Sequence, residues 1–187
     1  NMNLFLSKNI ELDDKETVVM AILNGLYSNK NENLYISISL LGYAISGRFL
    51  NVKNQKDRTI ITGINSSKWL LNGSDIACIG NIENLLDYAA VESGEHPDMG
   101  DWCYSSMFRD CTGLTQAPAL PATTLAPWCY EYMFNSCRSL TYPPELPATT
   151  VPQGCYRSMF WGCTSLVQLP VLPATKLSNY CYNSMFE

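Results

Sequence analysis

The sequence predicts an α/β solenoid, a right-handed coil of short strands and short helices, preceded by a β-rich or α+β N-terminal cap. The first observation is internal repetition: closely similar segments begin at Cys103, Cys129, Cys155 and Cys181, a period of 26 residues. The second is that each full copy holds a Cys-x-x-Leu step followed by Leu-Pro. A period of about 20 to 29 residues with such leucine steps is typical of leucine-rich repeats. The third is a hydrophobic content of 47%, enough to build a buried core.

The chain divides by composition into three predicted parts. Residues 1–59 are predicted to form a small α+β module, and residues 60–102 an N-terminal cap that covers the first repeat. Residues 103–187 hold the repeats, three full copies and the start of a fourth. We call them repeat 1 (103–128), repeat 2 (129–154), repeat 3 (155–180) and repeat 4 (181–187).

The N-terminal half carries local signals of secondary structure. Asp13 or Asp14 can cap a helix over 15–26, because an Asp side chain accepts from the first free amides. The alternation of apolar and polar residues over 34–39 predicts a strand. Further strands are predicted at 48–52 and 59–64.

Each repeat opens with the pattern CYxxMFxxC, which predicts a short helical segment. Its Cys, Met and Cys are four residues apart and would share one helix face, with Tyr and Phe beside them. An extended, proline-terminated segment follows, because proline cannot donate to a sheet. The predicted core consists of Cys103, Met107, Phe108, Cys111, Leu114, Cys129, Met133, Phe134, Cys137, Leu140, Cys155, Met159, Phe160, Cys163 and Leu166.

One repeat buries too little apolar surface to offset the entropy of ordering 26 residues. Neighbouring copies are therefore expected to stack and to share backbone hydrogen bonds. Because the fourth copy stops seven residues into its pattern, we expect the natural protein to continue beyond it.

Composition and motifs argue against several functions. A net charge of −5 makes nucleic acid a poor partner, and no apolar run approaches the roughly 20 residues of a membrane span. The single histidine, His96, leaves little room for imidazole catalysis, and no nucleophile motif surrounds it. It stands in an acidic loop that fits no EF-hand pattern, so a solvated loop is favoured over a metal site. We expect no catalytic residues, no cofactor and no metal.

The eight cysteines are predicted to be buried free thiols rather than disulfides. The two cysteines of one repeat are eight residues apart, too far along a helix for a bridge. Equivalent cysteines of neighbouring repeats would point the same way, which we expect to hold their Cβ atoms too far apart. A disulfide between neighbouring repeats, or one involving Cys78, is the alternative.

The pattern MFxxCxSLxxxPxLPATTL resembles the BspA-like leucine-rich repeats of bacterial surface and secreted proteins, in a 26-residue variant. The resemblance covers 103–187 and extends more weakly to 80–87. It implies a solenoid fold, an extracellular or cell-surface setting, and a role in adhesion or protein binding, with no catalytic residues.

Positions that vary between repeats are the candidate binding positions. They flank the extended segment, which lines the partner-binding face of leucine-rich solenoids, and they include exposed aromatic anchors. The predicted partner-binding residues are Thr115, Gln116, Thr141, Tyr142, Val167, Gln168, Trp128 and Trp161, with Ala119, Glu145 and Val171 varying beside them. The partner would be a protein or a surface glycan. Alternatively, the repeats are a passive spacer, and recognition lies in 1–59 or beyond the C-terminal residue.

Overall fold

The computed structural model describes residues 34–37 and 74–187. The helix predicted over 15–26 and the strands predicted at 48–52 and 59–64 lie outside these residues. In chain order, the elements are β1 (Leu34–Ser37), β2 (Ile76–Ile79), a 3₁₀ helix (Ile82–Leu85), α1 (Tyr88–Glu92), β3 (Leu114–Gln116), β4 (Thr150–Val151) and β5 (Lys176–Leu177).

A parallel sheet in the order β1-β2-β3 joins the N-terminal half to the repeats. Leu34 pairs with Ile76 and Ser37 with Ile79, and Ile76 pairs in turn with Leu114. The sheet therefore takes one strand from each of the three predicted parts of the chain. A second parallel pair, β4 and β5, joins repeat 2 to repeat 3.

The repeats stack on one another with a constant offset. In repeat 2, Tyr130, Tyr132 and Phe134 donate their amide hydrogens to carbonyls of repeat 3, at N–O distances of 2.9–3.1 Å. The corresponding amides of repeat 1 donate to repeat 2, and those of repeat 3 donate to repeat 4. Classification of this stack as a leucine-rich-repeat solenoid stays a prediction.

The predicted helix over CYxxMFxxC is wrong, because this segment is a run of four-residue turns. In repeat 2, the Glu131 and Met133 amides donate to the carbonyls three residues before them, while the Tyr132 amide between them donates to Arg157 of repeat 3. Every fourth residue has a positive φ, for example Trp128 (59°), Tyr132 (54°) and Ser136 (61°), which no right-handed helix allows. Within 74–187 the only α-helix is α1. We call residues 102–111, 128–137, 154–163 and 180–187 the turn segments.

The four-residue period still places the predicted core side chains on one inner face. Fourteen of the fifteen are buried, and Leu166 is half-buried. Phenylalanine and tyrosine rings form two stacked columns through the core, with neighbouring centroids 5.5–5.9 Å apart.

Tyr130 and Tyr104 provide a matched test of the tyrosine column. Both rings are buried, and the Tyr104 hydroxyl donates to the carbonyl of Ile82 at 3.3 Å. The Tyr130 hydroxyl has no hydrogen-bond partner among the described residues. A buried hydroxyl without a partner destabilises the fold, so removing it is favourable.

We therefore expect Tyr130→Phe to raise the free energy of unfolding by about 1 kcal/mol, and Tyr104→Phe to lower it by about 1 kcal/mol. Urea denaturation monitored by circular dichroism measures both changes. A loss of stability in Tyr130→Phe equal to that in Tyr104→Phe would contradict the assignment of the two hydroxyls.

Candidate binding surface

Six of the predicted partner-binding residues lie on three neighbouring strand segments, residues 114–116, 140–142 and 166–168. The Thr141 amide donates to the Thr115 carbonyl at 3.5 Å, and the Val167 amide donates to the Thr141 carbonyl at 3.1 Å. Gln116 and Tyr142 form a parallel bridge. Of the three segments only 114–116 is a regular strand, β3; 140–142 joins it through this bridge, and 166–168 joins 140–142 through the Val167 hydrogen bond.

Exposure increases along each of these segments, from the leucine toward the third residue. Leu114 and Leu140 are fully buried. Thr115 and Thr141 are half-buried, and Val167 is exposed. Gln116, Tyr142 and Gln168 are all exposed, and the Tyr142 side chain keeps 59% of its surface in solvent. We call Gln116, Tyr142 and Gln168 the outer column.

A groove of about 500 Å³ lies beside the outer column. One wall is the end of β2, and the other walls are the proline-rich segments that follow the strand segments. The prolines end the strands because they carry no amide hydrogen. The groove is lined by Ile79, Gly80, Gln116, Ala117, Pro118, Ala119, Leu120, Pro121, Pro144, Glu145 and Pro147.

The walls of this groove are held by backbone hydrogen bonds between the cap and repeat 1. The Ala119 amide donates to the Gly80 carbonyl at 2.9 Å, and the Ile82 amide donates to the Ala119 carbonyl at 3.1 Å. Glu145 is exposed, and it gives the otherwise apolar and prolyl lining a negative charge. The groove offers ring faces for packing, with Gln116 and Glu145 for hydrogen bonding.

The two predicted tryptophans lie on the turn segments, away from the strand segments that carry the other six residues. Trp128 is half-buried, stacks on Trp102 at a centroid distance of 6.4 Å, and covers Gly154, the last residue of repeat 2. Trp161 is 42% exposed, and its Nε1 donates to Glu187 at 3.3 Å. The structure therefore divides the eight candidates between two segments of the repeat.

Charged side chains on the turn segments gather around Tyr132. The guanidinium groups of Arg109 and Arg157 lie 5.2 Å and 5.6 Å from the centre of its ring, distances typical of cation–π contacts. Arg157 also donates to Glu131 at 3.2 Å. Partial burial raises the pKa of Glu131, and the charge of Arg157 opposes that rise. Each arginine has a carboxylate nearby, since Arg109 lies 3.9 Å from Asp110. The cluster is thus close to electrically neutral.

The acidic loop is tied to the cap through its histidine. The Nδ1 atom of His96 lies 2.8 Å from an oxygen of Glu83, whose side chain is buried. Asn81 also contacts Glu83, and its own side chain accepts from the Glu83 amide at 2.9 Å. In the part of the chain that the structure describes, no three His, Cys, Asp or Glu side chains converge as a metal site would require.

All eight cysteines fall within the described residues, where they are buried and none is in a disulfide bond. Burial raises the pKa of the Cys78, Cys129 and Cys137 thiols, and it raises the pKa of Cys163 to about 11. The Cβ separation expected between equivalent cysteines stays a prediction, but the sulfurs of Cys129 and Cys155 approach to 3.1 Å. Stacking in register brings these two side chains together.

Comparison of the repeats predicted some of the residues that line the groove but not the others. Its variable positions included Gln116, Ala119 and Glu145, which line it. The contribution of Ile79 and Gly80 depends on how the cap docks on repeat 1, which no local pattern reveals. Gly80 has a φ of 98°, and a glycine directly after the apolar run 76–79 is the available signal.

No helix among the described residues is both long enough and apolar enough to span a bilayer. Comparison with protein-family models, with curated proteins and with solved structures gives no match to this chain.

Proposed function

We propose that this chain belongs to a non-enzymatic, exported bacterial protein of the BspA-like leucine-rich-repeat type. It binds a protein or a surface glycan through its strand segments and acts in adhesion or protein–protein contact at the cell surface. The proposal rests on the repeat pattern in the sequence and on the outer column. That column presents one polar or aromatic side chain per repeat on a backbone fixed by hydrogen bonds.

The outer column is the observation that supports binding most directly. Gln116 and Tyr142 are exposed, yet they follow leucines that are fully buried in the core, and the exposed Gln168 follows the half-buried Leu166. The backbone that carries these side chains is already ordered and loses little conformational freedom on binding, which favours affinity. Tyr142 supplies a large amphipathic surface of the kind that dominates binding energy at interfaces. The adjacent groove adds a concave surface for an extended segment of the partner.

A triple substitution in the outer column tests the proposal. The immobilised full chain is incubated with extracts of bacterial and host surface proteins and glycans, and bound material is quantified by mass spectrometry. We expect Gln116→Ala, Tyr142→Ala and Gln168→Ala together to reduce the specific capture at least tenfold, which corresponds to about 1.4 kcal/mol.

A matched control changes one exposed residue per repeat outside the strand segments, at Thr112, Arg138 and Thr164. Alanine at these three positions is expected to leave capture unchanged. Equal thermal unfolding midpoints exclude misfolding as the cause of any loss.

The passive-spacer alternative predicts the opposite pattern of effects. A chain lacking residues 1–30 keeps β1, and with it the sheet that joins the cap to repeat 1. If this deletion abolishes capture while the outer-column substitutions leave it intact, the repeats are a spacer and the binding proposal fails.

A further inference from the structure

Cys129 and Cys155, the first cysteines of repeats 2 and 3, form a close pair of thiols in the core. Their sulfurs are 3.1 Å apart, and both side chains are fully buried. The Tyr130 amide donates to the Cys155 carbonyl at 3.1 Å, so the two cysteines stand on hydrogen-bonded neighbouring segments. Such segments are about 4.8 Å apart, and disulfides join Cα atoms separated by about 4.4–6.8 Å.

The second cysteines of the repeats are arranged differently. The thiol of Cys137 donates to the Phe108 carbonyl at 3.1 Å, and that of Cys163 donates to the Phe134 carbonyl at 3.0 Å. These sulfurs are held by backbone oxygens of the preceding repeat. Direct contact of sulfur with sulfur is therefore a feature of Cys129 and Cys155 and not of Cys137 and Cys163.

We propose that Cys129 and Cys155 are a site of disulfide formation that cross-links repeat 2 to repeat 3 when the chain folds in the presence of a disulfide oxidant. With oxidised glutathione, the thiolate of one cysteine attacks a glutathione sulfur and releases one glutathione thiolate. The thiolate of the second cysteine then attacks the mixed disulfide at the protein sulfur and releases the second glutathione. The two cysteines lose two protons and two electrons, and one glutathione disulfide becomes two thiols.

The reaction belongs to the folding chain rather than to the folded one. Both sulfurs are inaccessible once the repeats have stacked, and burial raises the pKa of Cys129, which disfavours the reactive thiolate. In the unfolded chain both thiols are exposed. Stacking then brings the two sulfurs together, and the cross-link retains the register of repeats 2 and 3. This inference does not depend on the proposed binding function.

Oxidative refolding of the full chain tests the proposal. The reduced, unfolded protein is refolded with oxidised and reduced glutathione, alkylated, and digested with trypsin without reduction. Cleavage after arginine gives peptides 110–138 and 139–157, and Cys155 is the only cysteine in the second. We expect these two peptides to be linked in most molecules, six of the eight cysteines to be alkylated, and dithiothreitol to separate the pair.

Two variants identify the partner of Cys155 within 110–138. Cys129→Ala is expected to abolish the link, and the matched Cys137→Ala to leave it in place. Folded reduced protein treated with the same glutathione is expected to form the link at least tenfold more slowly. Alkylation of all eight cysteines in the refolded wild-type chain overturns the proposal, and so does linkage of peptide 139–157 to any peptide other than 110–138. Because these two results are read from the wild-type chain, they hold even if a variant fails to fold.

Discussion

Replacing Phe134 by alanine is expected to lower the free energy of unfolding by about 4 kcal/mol, the largest effect we predict for a single core residue. The Phe134 ring is fully buried and lies between two others, with centroids 5.5 Å from Phe108 and 5.7 Å from Phe160. Alanine removes the ring and leaves a cavity that both neighbours line. The neighbours are held in place by backbone hydrogen bonds between repeats, so the cavity collapses only partly.

Thermal unfolding measures this effect, with an expected fall in the midpoint of about 10 °C for a chain of this length. Phe186 is the matched control, because it ends the same column and stacks on Phe160 alone, at 5.8 Å, while 37% of its surface is exposed. Phe186→Ala should therefore lower the free energy of unfolding by no more than about 1.5 kcal/mol. Equal losses in the two variants would mean that the ring column does not stabilise the stack.

The spacing of core residues could be predicted from the sequence, but the backbone that carries them could not. Cys129, Met133 and Cys137 are four residues apart, which fits one face of a helix and equally fits a run of four-residue turns. The two backbones differ in where the amides of Tyr130 and Phe134 donate, and these donate to the next repeat. Because each acceptor carbonyl lies 25 residues further along the chain, the residues around Tyr130 and Phe134 do not indicate these hydrogen bonds. The available signal was small or polar residues at the positive-φ positions, such as Ser136 and Ser158.

The candidate binding surface was predictable only in part for a similar reason. Repeat comparison found the outer column, because Gln116 and Tyr142 occupy the same position of the repeat, between two leucines that are constant in every full copy. It also grouped Trp128 and Trp161 with them, although those side chains lie on the turn segments. Variation between copies identifies unconstrained or functional positions. It does not say which segment of the repeat they occupy, since that depends on the turns.

Replacing Gly154 by alanine is expected to lower the free energy of unfolding by about 3 kcal/mol. Gly154 has a φ of 61°, which is unfavourable for alanine, and a Cβ at this position would lie 1.9 Å from Cε3 of Trp128. Repeats 1 and 2 are preceded by tryptophan at the equivalent position, namely Trp102 and Trp128. Glycine at 154 leaves room for the Trp128 ring to lie on the backbone where repeat 2 ends, so alanine there must displace the ring as well as strain the chain.

Gly162→Ala separates the two effects, because Gly162 also has a positive φ, 72°, but a Cβ there meets only ordinary contacts, the nearest at 3.5 Å from Ser136. This variant should lose only about 1 kcal/mol, the cost of the backbone conformation. Combining Gly154→Ala with Trp128→Ala removes the steric overlap. A double-mutant cycle by chemical denaturation should therefore give a favourable coupling of at least about 1 kcal/mol. Strict additivity of the two substitutions would show that the Trp128 ring does not depend on the glycine beneath it, and the loss in Gly154→Ala would then be backbone strain alone.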